Sequence, residues 1–365
     1  MKKILFYLLS ATFILSCAPK SYKVEGEVQI RELSGKTILI KERINRVWSS
    51  LDSVKIENGS FHFQGRCDTA KIAFLCFELP SGEKVRRPFV LENGKIEVLI
   101  DTLNNIRFQG TEQNEILQKY FSEKKSFYIS AENTYKALSD SSLGTQQRAA
   151  MEKEVKSLEK KEVEIDKKYA TEYINTVAGN YIFETSFYNM TIGEKEKIIA
   201  LMNDQTKKRT RITEIIQGIE TEKKTAKGQT FTEIKLPSIN GDSIALSSLI
   251  GKTDYVLIDF WASWCGPCMQ SLPDLKIFYD KYKNGKIEIL GVSLDDDEAA
   301  WKGTVEKQKL IWKHVSDLQG WKSEGAKKYA ISSIPATVLI NKQGIIEGRN
   351  LSLTEIENLI RKSGK

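Results

Sequence analysis

Apolar and polar residues alternate through the first long region of the chain, and this is the period of a half-buried β-strand. Phe61-His62-Phe63 and Ile96-Glu97-Val98 are two examples. Asn58-Gly59 and Asn93-Gly94 separate alternating runs, and an Asn-Gly pair in that position is the strongest short-range signal for a β-hairpin. The pattern therefore predicts a small antiparallel β domain over residues 22–110.

The spacing of apolar residues becomes helical between residues 111 and 228. This stretch contains no proline, its charges are dense and mixed, and Ile212, Ile215 and Ile219 recur every three or four residues, as on one face of an amphipathic helix. Residues 140–144 are predicted to break the helices. We interpret the stretch as a helical spacer that packs on its neighbours; a partner-binding helical arm is the alternative.

Strands alternate with helices in the last region, residues 229–365. Residues 255–260, 287–292 and 336–340 are mostly apolar runs typical of buried strands, the segments between them are predicted to be partly helical, and a final amphipathic helix begins near Leu353. This alternation predicts an α/β domain with a central mixed sheet and helices on both faces.

An apolar leader precedes these three regions. Lys2 and Lys3 are followed by an apolar run over residues 4–15, which is shorter than the about 20 residues needed to span a bilayer and is typical of a secretory signal. The leader ends in Leu15-Ser16-Cys17, which resembles a bacterial lipoprotein box. An ordinary signal with an incidental cysteine is the alternative.

The lipoprotein resemblance implies that residues 1–17 are a signal peptide cut before Cys17, and that Cys17 carries lipid. The protein would then be lipid-anchored on the periplasmic face of the cell envelope, where disulfides persist. Ala18, rather than an acidic residue, follows the cysteine; by the convention of that family, this favours the outer membrane over the inner one.

Composition and charge exclude several classes of function. The chain has 55 Lys and Arg among 48 Asp and Glu, for a net charge of +7, and such interspersed charge predicts a solvated surface and no nucleic-acid partner. There are two histidines in 365 residues, and no HExxH, GxSxG, Walker A or GxGxxG motif occurs. We therefore expect no metal site, no cofactor, and neither a serine hydrolase nor a dinucleotide enzyme.

The candidate chemistry lies in Trp264-Cys265-Gly266-Pro267-Cys268, which follows the first buried strand of the last region. A strand that leads into a helix would place Cys265 exposed at the helix N-terminus, where the helix dipole favours the thiolate. Cys268 would lie sheltered one turn further on, and Pro267 suits the first helical turn. Half a zinc site is a weaker alternative, because the chain has no second CxxC motif and too few histidines. A purely structural disulfide is also weaker, because of the flanking tryptophans and the strand–helix context.

Residues 259–268 resemble the active-site stretch of thioredoxins. Leu236-Pro237 and residues 246–252 resemble the entry hairpin of the TlpA/ResA-like, peroxiredoxin-related branch of that family. Residues 52–65 resemble a β-rich domain of unknown function that is often fused ahead of TlpA-like domains in bacterial lipoproteins. The resemblance implies a thioredoxin fold at the C-terminus and thiol–disulfide oxidoreductase activity.

The resemblance also implies roles for individual residues. Cys265 corresponds to the attacking thiolate, Cys268 to the resolving thiol, and Asp259 to the buried acid that exchanges a proton with the second cysteine. Two positions depart from the family: Ser271 stands where TlpA/ResA-like proteins commonly carry Glu, and Gly291-Val292-Ser293 stands where thioredoxins place a lysine partner for the acid. Proton handling is therefore expected to differ, and a dedicated role in cytochrome c maturation is in doubt.

Further residues are expected to contact substrate. Ile334-Pro335 corresponds to the cis-proline loop of the family, and Trp264, Gly266 and Pro267 surround the two thiols. The activity implied is reduction of disulfides in exported proteins, with electrons from a membrane thiol transporter. The alternative is a partner- or ligand-binding lipoprotein in which the CxxC is a redox sensor.

Cys67 and Cys76 lie in the predicted β domain. An oxidising compartment favours a disulfide between them, whereas buried cysteines are also common as separate small apolar residues. Their spacing does not decide between the two.

Overall fold

The computed structural model describes residues 21–44, 47–138 and 144–363. The predicted leader with Cys17, and residues 140–143 of the predicted helix break, lie outside the described residues. The chain divides into two compact units. One contains the described residues up to Ser186 together with Leu201–Thr206, and the other contains Phe187–Ala200 and Lys207–Lys365.

A β-sandwich forms most of the first unit. The strands form two four-stranded sheets among the described residues, with orders β4-β1-β7-β8 and β3-β2-β5-β6. Apolar side chains from both sheets share one core, for example Val24, Ile38, Phe63, Leu75 and Phe89. The strands are β1 (Tyr22–Val28), β2 (Thr37–Ile44), β3 (Val47–Lys55), β4 (Ser60–Gly65), β5 (Lys71–Glu78), β6 (Lys84–Leu91), β7 (Gly94–Ile100) and β8 (Ile106–Gln109).

Asn58-Gly59 forms a two-residue turn, in which Glu57 and Ser60 exchange both backbone hydrogen bonds at 2.9 Å, but neither Asn-Gly pair joins two strands of the same sheet. Asn58-Gly59 connects β3 to β4, and Asn93-Gly94 connects β6 to β7, so each pair leads from one sheet to the other. Asn58 and Gly59 have φ values of 50° and 71°, a left-handed conformation that also suits a tight reversal between sheets. Alternation identified the strands but not their partners, and β1 and β7 pair in parallel, the exception to the expected antiparallel pattern.

Helices follow the sandwich, as the spacing of apolar residues predicts. They are α1 (Glu112–Leu138), α2 (Thr145–Tyr173), α3 (Val177–Ser186), α4 (Ile192–Ala200), α5 (Asp204–Lys207) and α6 (Thr210–Lys224). Ile212, Ile215 and Ile219 are buried on one face of α6. Helices α1 to α3 belong to the first unit, and α4 and α6 to the second, so the helical segment is shared between the units.

Helix α1 binds the edges of both sheets of the sandwich. The Asn114 side chain accepts a hydrogen bond from the Val90 N–H of β6 at 2.9 Å and donates one to the Val90 carbonyl at 2.8 Å. Gln118 accepts one from the Phe108 N–H of β8 at 3.0 Å. Because β6 and β8 are the last strands of their sheets, these side chains pair edge groups that would otherwise be open.

A five-stranded mixed sheet is the centre of the second unit. Its order is β13-β12-β11-β14-β15; β11 pairs in parallel with β12 and antiparallel with β14. A short hairpin of β9 (Lys235–Pro237) and β10 (Ser243–Ala245) precedes it. The sheet strands are β11 (Tyr255–Trp261), β12 (Ile287–Ser293), β13 (Lys313–Val315), β14 (Ala336–Asn341) and β15 (Ile346–Arg349), and the helices are α7 (Gly266–Tyr282), α8 (Glu298–Lys307), α9 (Glu324–Lys328) and α10 (Leu353–Ser363).

Helices cover both faces of this sheet, as expected. Phe260, on one face of β11, contacts the Tyr329 ring just after α9, with ring centroids 5.9 Å apart. On the other side, Tyr279 of α7 contacts Trp312, with centroids 5.5 Å apart, and Trp312 contacts His314 of β13 at 5.7 Å. The predicted α/β architecture is confirmed.

Two further findings concern the described residues alone. Cys67 and Cys76 are both buried free thiols, so they do not bond to each other. Among the described helices, none combines the length and apolar character needed to cross a bilayer.

Candidate functional site

The two cysteines of the CxxC motif lie where β11 leads into α7. Cys265 is the N-cap of the helix, with extended backbone angles of φ −82° and ψ 96°. Pro267 lies in the first turn, where its missing N–H leaves no helical hydrogen bond unmade. Cys265 and Cys268 form a disulfide with their Cα atoms 5.2 Å apart. The local sequence thus produces the strand–helix junction that it predicts.

The expected exposure of Cys265 is wrong for this oxidised state. Cys265 is 4% exposed and Cys268 is 2% exposed, and both belong to the buried cluster of the second unit. The disulfide holds both side chains against the helix end, where the Cys265 sulfur also accepts a hydrogen bond from the Cys268 N–H at 3.2 Å. The other three residues of the motif are exposed: Trp264, at 51%, Gly266 and Pro267.

Asp259 is a buried acid in the central strand. It is 6% exposed, and burial raises the pKa of its carboxyl group to about 7. Its neighbours in register are Gly291 on β12 and Thr337 on β14. No cation contributes to this pKa, whose single cause is the loss of hydration. Gly291, in the stretch where thioredoxins carry the lysine partner of this acid, has no side chain.

Ile334-Pro335 lies at the same end of the sheet as the cysteines. The Ile334–Pro335 peptide bond is cis, and the proline directly precedes β14. Because Ala336 pairs with Phe260, this loop lies beside the end of β11. The structure therefore brings the predicted residues Asp259, Cys265, Cys268 and Pro335 to one end of one strand.

Asp295 was not singled out from the sequence, yet it holds the segment that leads to the cysteines. It is 1% exposed and accepts hydrogen bonds from the Ser263 N–H at 3.1 Å, the Ser263 hydroxyl at 2.6 Å and the Ser293 hydroxyl at 2.7 Å. These bonds tie the residue before Trp264 to the end of β12. The sequence does contain a signal for this role: Ser293 and Asp295 lie at the end of an apolar strand. The ends of neighbouring parallel strands meet at one edge of a sheet, so polar residues there can lie close to the CxxC.

Ser271 of α7 occupies the position where TlpA/ResA-like proteins commonly carry Glu. Its hydroxyl donates to the Cys268 carbonyl within the same helix at 2.9 Å, so this position adds no charge near the thiols. Across the described part of the chain, no three His, Cys, Asp or Glu side chains are grouped so as to hold a metal ion.

Replacing Asp259 by asparagine tests the raised pKa through stability. The carboxyl group has a pKa of about 7 in the folded protein and 3.8 as its ordinary value, so the folded state binds more protons between about pH 4 and 7 and loses stability as the pH rises through that window. Asp259→Asn removes this loss. We expect the variant to gain up to about 4 kcal/mol in free energy of unfolding at pH 8 and little at pH 4.

Denaturant unfolding of the oxidised protein at the two pH values gives this difference. Asp254→Asn is the matched control, because Asp254 is a partly exposed acid near the other end of β11 that pairs with Lys286 at 2.8 Å. The same gain for Asp259→Asn at both pH values would contradict the raised pKa.

Two known protein families match separate regions of the chain. The family described as "Thioredoxin-like" matches residues 252–346, and a "Domain of unknown function (DUF4369)" matches residues 22–117. The thiol-disulfide oxidoreductase ResA of Bacillus thuringiensis subsp. konkukian is 30% identical over 131 residues, which are 36% of this chain and 73% of that protein.

Two further proteins are similar to part of the chain. The sporulation thiol-disulfide oxidoreductase A of Bacillus subtilis is 29% identical over 127 residues, or 34% of this chain and 73% of that protein. Among solved structures, the C-terminal domain of a putative thiol-disulfide oxidoreductase from Bacteroides thetaiotaomicron is 37% identical, with a TM-score of 0.36, over 38% of this chain and 99% of that one.

The thioredoxin-like family match covers the cysteine pair, and together with the two Bacillus relatives it confirms the resemblance read from residues 259–268. The curated relatives align with about a third of the chain, and the sandwich carries the separate match. Through its C-terminal thioredoxin-like domain, the chain belongs to the ResA-like thiol–disulfide oxidoreductases.

Proposed function

We propose that this protein reduces disulfides of exported proteins through Cys265 and Cys268. The observation that carries the proposal is the position of the pair at the N-terminus of α7. The N–H of Cys268 points at the Cys265 sulfur, and both this N–H and the helix dipole stabilise a thiolate at Cys265. Cys268 is buried inside the helix.

The reaction proceeds in two exchanges. The Cys265 thiolate attacks one sulfur of the substrate disulfide; that bond breaks, and the other substrate sulfur leaves with the electron pair and takes a proton. Cys268 then loses its proton to the Asp259 carboxylate and attacks the Cys265 sulfur. This closes the Cys265–Cys268 disulfide and releases the second substrate sulfur as a thiolate.

The surroundings of the pair suit a protein substrate. Trp264 is half exposed and contacts the ring of Trp321, with centroids 6.0 Å apart, so an apolar surface lies beside the cysteines. Gly266 and Pro267 are exposed and add no long side chain at the start of the helix. Ile334-Pro335, beside the end of β11, provides backbone groups for an extended substrate segment.

The membrane context belongs to the same proposal. A lipid on Cys17 would hold the protein at the periplasmic face of the envelope. Ala18 after the cysteine favours the outer membrane over the inner one. A membrane thiol transporter would return the Cys265–Cys268 disulfide to the dithiol by the reverse exchange. These elements rest on residues 1–18 and on the family resemblance.

A second candidate function has one observation in its favour. The first unit contains a cavity of about 650 Å³ lined by basic and aromatic side chains, among them Arg87, Arg107, Lys125, Phe121 and Tyr128. This volume is in the range of small-molecule sites. In the alternative, the chain binds an anionic aromatic ligand there and its CxxC only senses redox state; added ligand would then raise the unfolding temperature, and substrate disulfides would not turn over.

Selective alkylation tests the roles of the cysteines. We expect iodoacetamide to label Cys265 of the reduced protein at pH 7 at least about ten times faster than Cys268, because a thiolate at a helix N-terminus is the reactive form. Cys67 and Cys76 are internal controls, since burial raises the pKa of both thiols. Mass spectrometry of timed samples gives the four rates, and faster labelling of Cys268 would reverse the assignment.

The reduction potential tests the direction of the reaction. Gly266-Pro267 places no histidine between the cysteines, so the helix end and the Cys268 N–H stabilise the thiolate without the added charge found in strong oxidants. We expect a potential nearer to that of thioredoxin, about −270 mV, than to that of DsbA, about −120 mV. Equilibration with dithiothreitol or glutathione buffers measures it. The matched variant Pro267→His should shift the potential upward.

A potential near that of DsbA for the unchanged protein would make it a disulfide donor and would sink the reductase proposal. Turnover of insulin disulfides with dithiothreitol as reductant is the second measurement. Its absence, at a potential that permits it, would favour the sensor.

Cys17→Ala tests the anchor. We expect the variant to move from the membrane fraction to the soluble fraction, because several acyl chains are needed for stable anchoring and this change removes their attachment point. Fractionation and immunoblotting measure the distribution. Cys76→Ala is the control and should stay with the membrane; an unchanged distribution of Cys17→Ala would count against lipidation.

A further inference from the structure

His314 is a buried histidine whose ring has no partner. It is 3% exposed, and neither ring nitrogen has a hydrogen-bond partner among the residues that the structure describes. The indole N–H of Trp261, at 1% exposure, is also without a partner in the same part of the chain. Unpaired buried polar groups are rare and costly, so two in contact with each other require an explanation.

Both groups point at the same place. The rings of Trp261 and His314 have centroids 5.6 Å apart. A Cβ atom built on Gly291 would lie 2.5 Å from Nδ1 of His314 and 3.1 Å from Nε1 of Trp261. The two nitrogens therefore occupy the space above Gly291, and the absence of a side chain at that position makes room for them.

Asp259 lies beside this space. Asp259 pairs with Gly291, and Gly291 pairs with His314, across the parallel strands β11, β12 and β13. Residues paired in this way share one face of the sheet, so the three form a row with the glycine in the middle. Strands lie about 4.8 Å apart, and an aspartate side chain on one strand reaches across much of that distance.

We propose that His314 is a positioning residue for Asp259. Together with Trp261, it supplies N–H donors over Gly291 that receive the Asp259 carboxylate when the acid is ionised. This inference rests on the proposed function, in which Asp259 takes the proton of Cys268. Because the Cys268 proton needs a carboxylate to accept it, donors that stabilise the carboxylate extend the pH range of that step downward.

His314 acts in this role as a neutral donor. Burial lowers the pKa of its imidazole to about 3, with no charged group contributing, so the ring is uncharged at neutral pH and carries one N–H. A lysine would bring a full charge to the acid, whereas the imidazole and the indole bring only hydrogen bonds.

Other titratable groups close to His314 are occupied elsewhere. The Tyr279 hydroxyl of α7, beyond Trp312, donates to Glu288 at 2.9 Å, and Glu288 also pairs with Lys313 at 3.3 Å. Asp295, beyond the end of β12, accepts from Ser263 and Ser293. Asp259 is the acid in the same row as Gly291 and His314, and we assign it as the acceptor for the two donors above Gly291. A third buried donor without a partner among the described residues, the indole N–H of Trp312, also adjoins His314.

Nitrogen NMR of the histidine rings tests this contact directly. The chain has two histidines, and His62 is exposed, so it serves as the internal reference. We expect the ring nitrogens of His314 to change shift between pH 5 and 9 with the midpoint of Asp259, without reaching the imidazolium values. The change should vanish in Asp259→Asn. Identical His314 titrations in the two proteins would overturn the proposal.

The pH profile of disulfide turnover tests the consequence. In His314→Phe, the loss of a donor should move the acidic midpoint of kcat upward by about one pH unit. His314→Gln, which keeps an N–H donor, should restore most of the shift and guards against a folding defect. Trp301→Phe is the matched control, because it also removes a buried unpartnered ring nitrogen, but on α8, and should leave the midpoint in place.

The double variant separates positioning from general damage. In the Asp259→Asn background, His314→Phe should no longer move the midpoint; a shift of the same size there would overturn the proposal. If the unchanged protein shows no turnover, the proposed function fails, and the NMR comparison still decides the contact. If turnover is normal and His314→Phe leaves its profile unaltered, the contact fails and the proposed function stands.

Discussion

The site depends on the complete burial of one strand. All seven residues of β11 are buried, between a parallel neighbour on one side and an antiparallel neighbour on the other. This strand fixes where the CxxC begins, because its last residue is four positions before Cys265. It also deprives Asp259 of water, and that loss alone raises the pKa of the carboxyl group towards neutrality. Packing and proton chemistry thus have the same origin.

The ends of the neighbouring strands complete the site. Asp295, after β12, fixes Ser263 through three hydrogen bonds, and Ile334-Pro335 leads into β14. Both segments are distant from the CxxC motif in sequence, but the order of the strands in the sheet places both at the end of β11. A rigid sheet can in this way hold a reactive loop with few residues from that loop itself.

The sequence was informative wherever a signal is local. Apolar periodicity located the β domain, the helices and the α/β domain, and the residues from Asp259 to Cys268 identified the chemistry.

The register between strands was not accessible, because pairing between residues separated by more than twenty positions leaves no trace in one sequence. Asp259, Gly291 and His314 form a row only through such pairing, so no feature of the sequence links the histidine to the acid. The Asn-Gly pairs show the same limit: Asn58-Gly59 forms its tight turn, but a turn residue specifies a local conformation and not the sheet that the next strand joins. The expected exposure of Cys265 was wrong because a position at a helix N-terminus does not by itself expose a side chain. Here the disulfide to Cys268 holds the Cys265 sulfur against the helix end.

Helix α1 limits how the sandwich can be treated as a module. Asn114 and Gln118 bond the edges of β6 and β8, whereas the matched family region ends at residue 117, between these two side chains. A fragment cut at residue 110 would expose two strand edges, and open edges add further strands from other molecules. Association of such fragments into larger particles would then reflect the cut and not the native protein. The unit that can be transferred to another protein, by recombination or in the laboratory, is the sandwich together with its first helix.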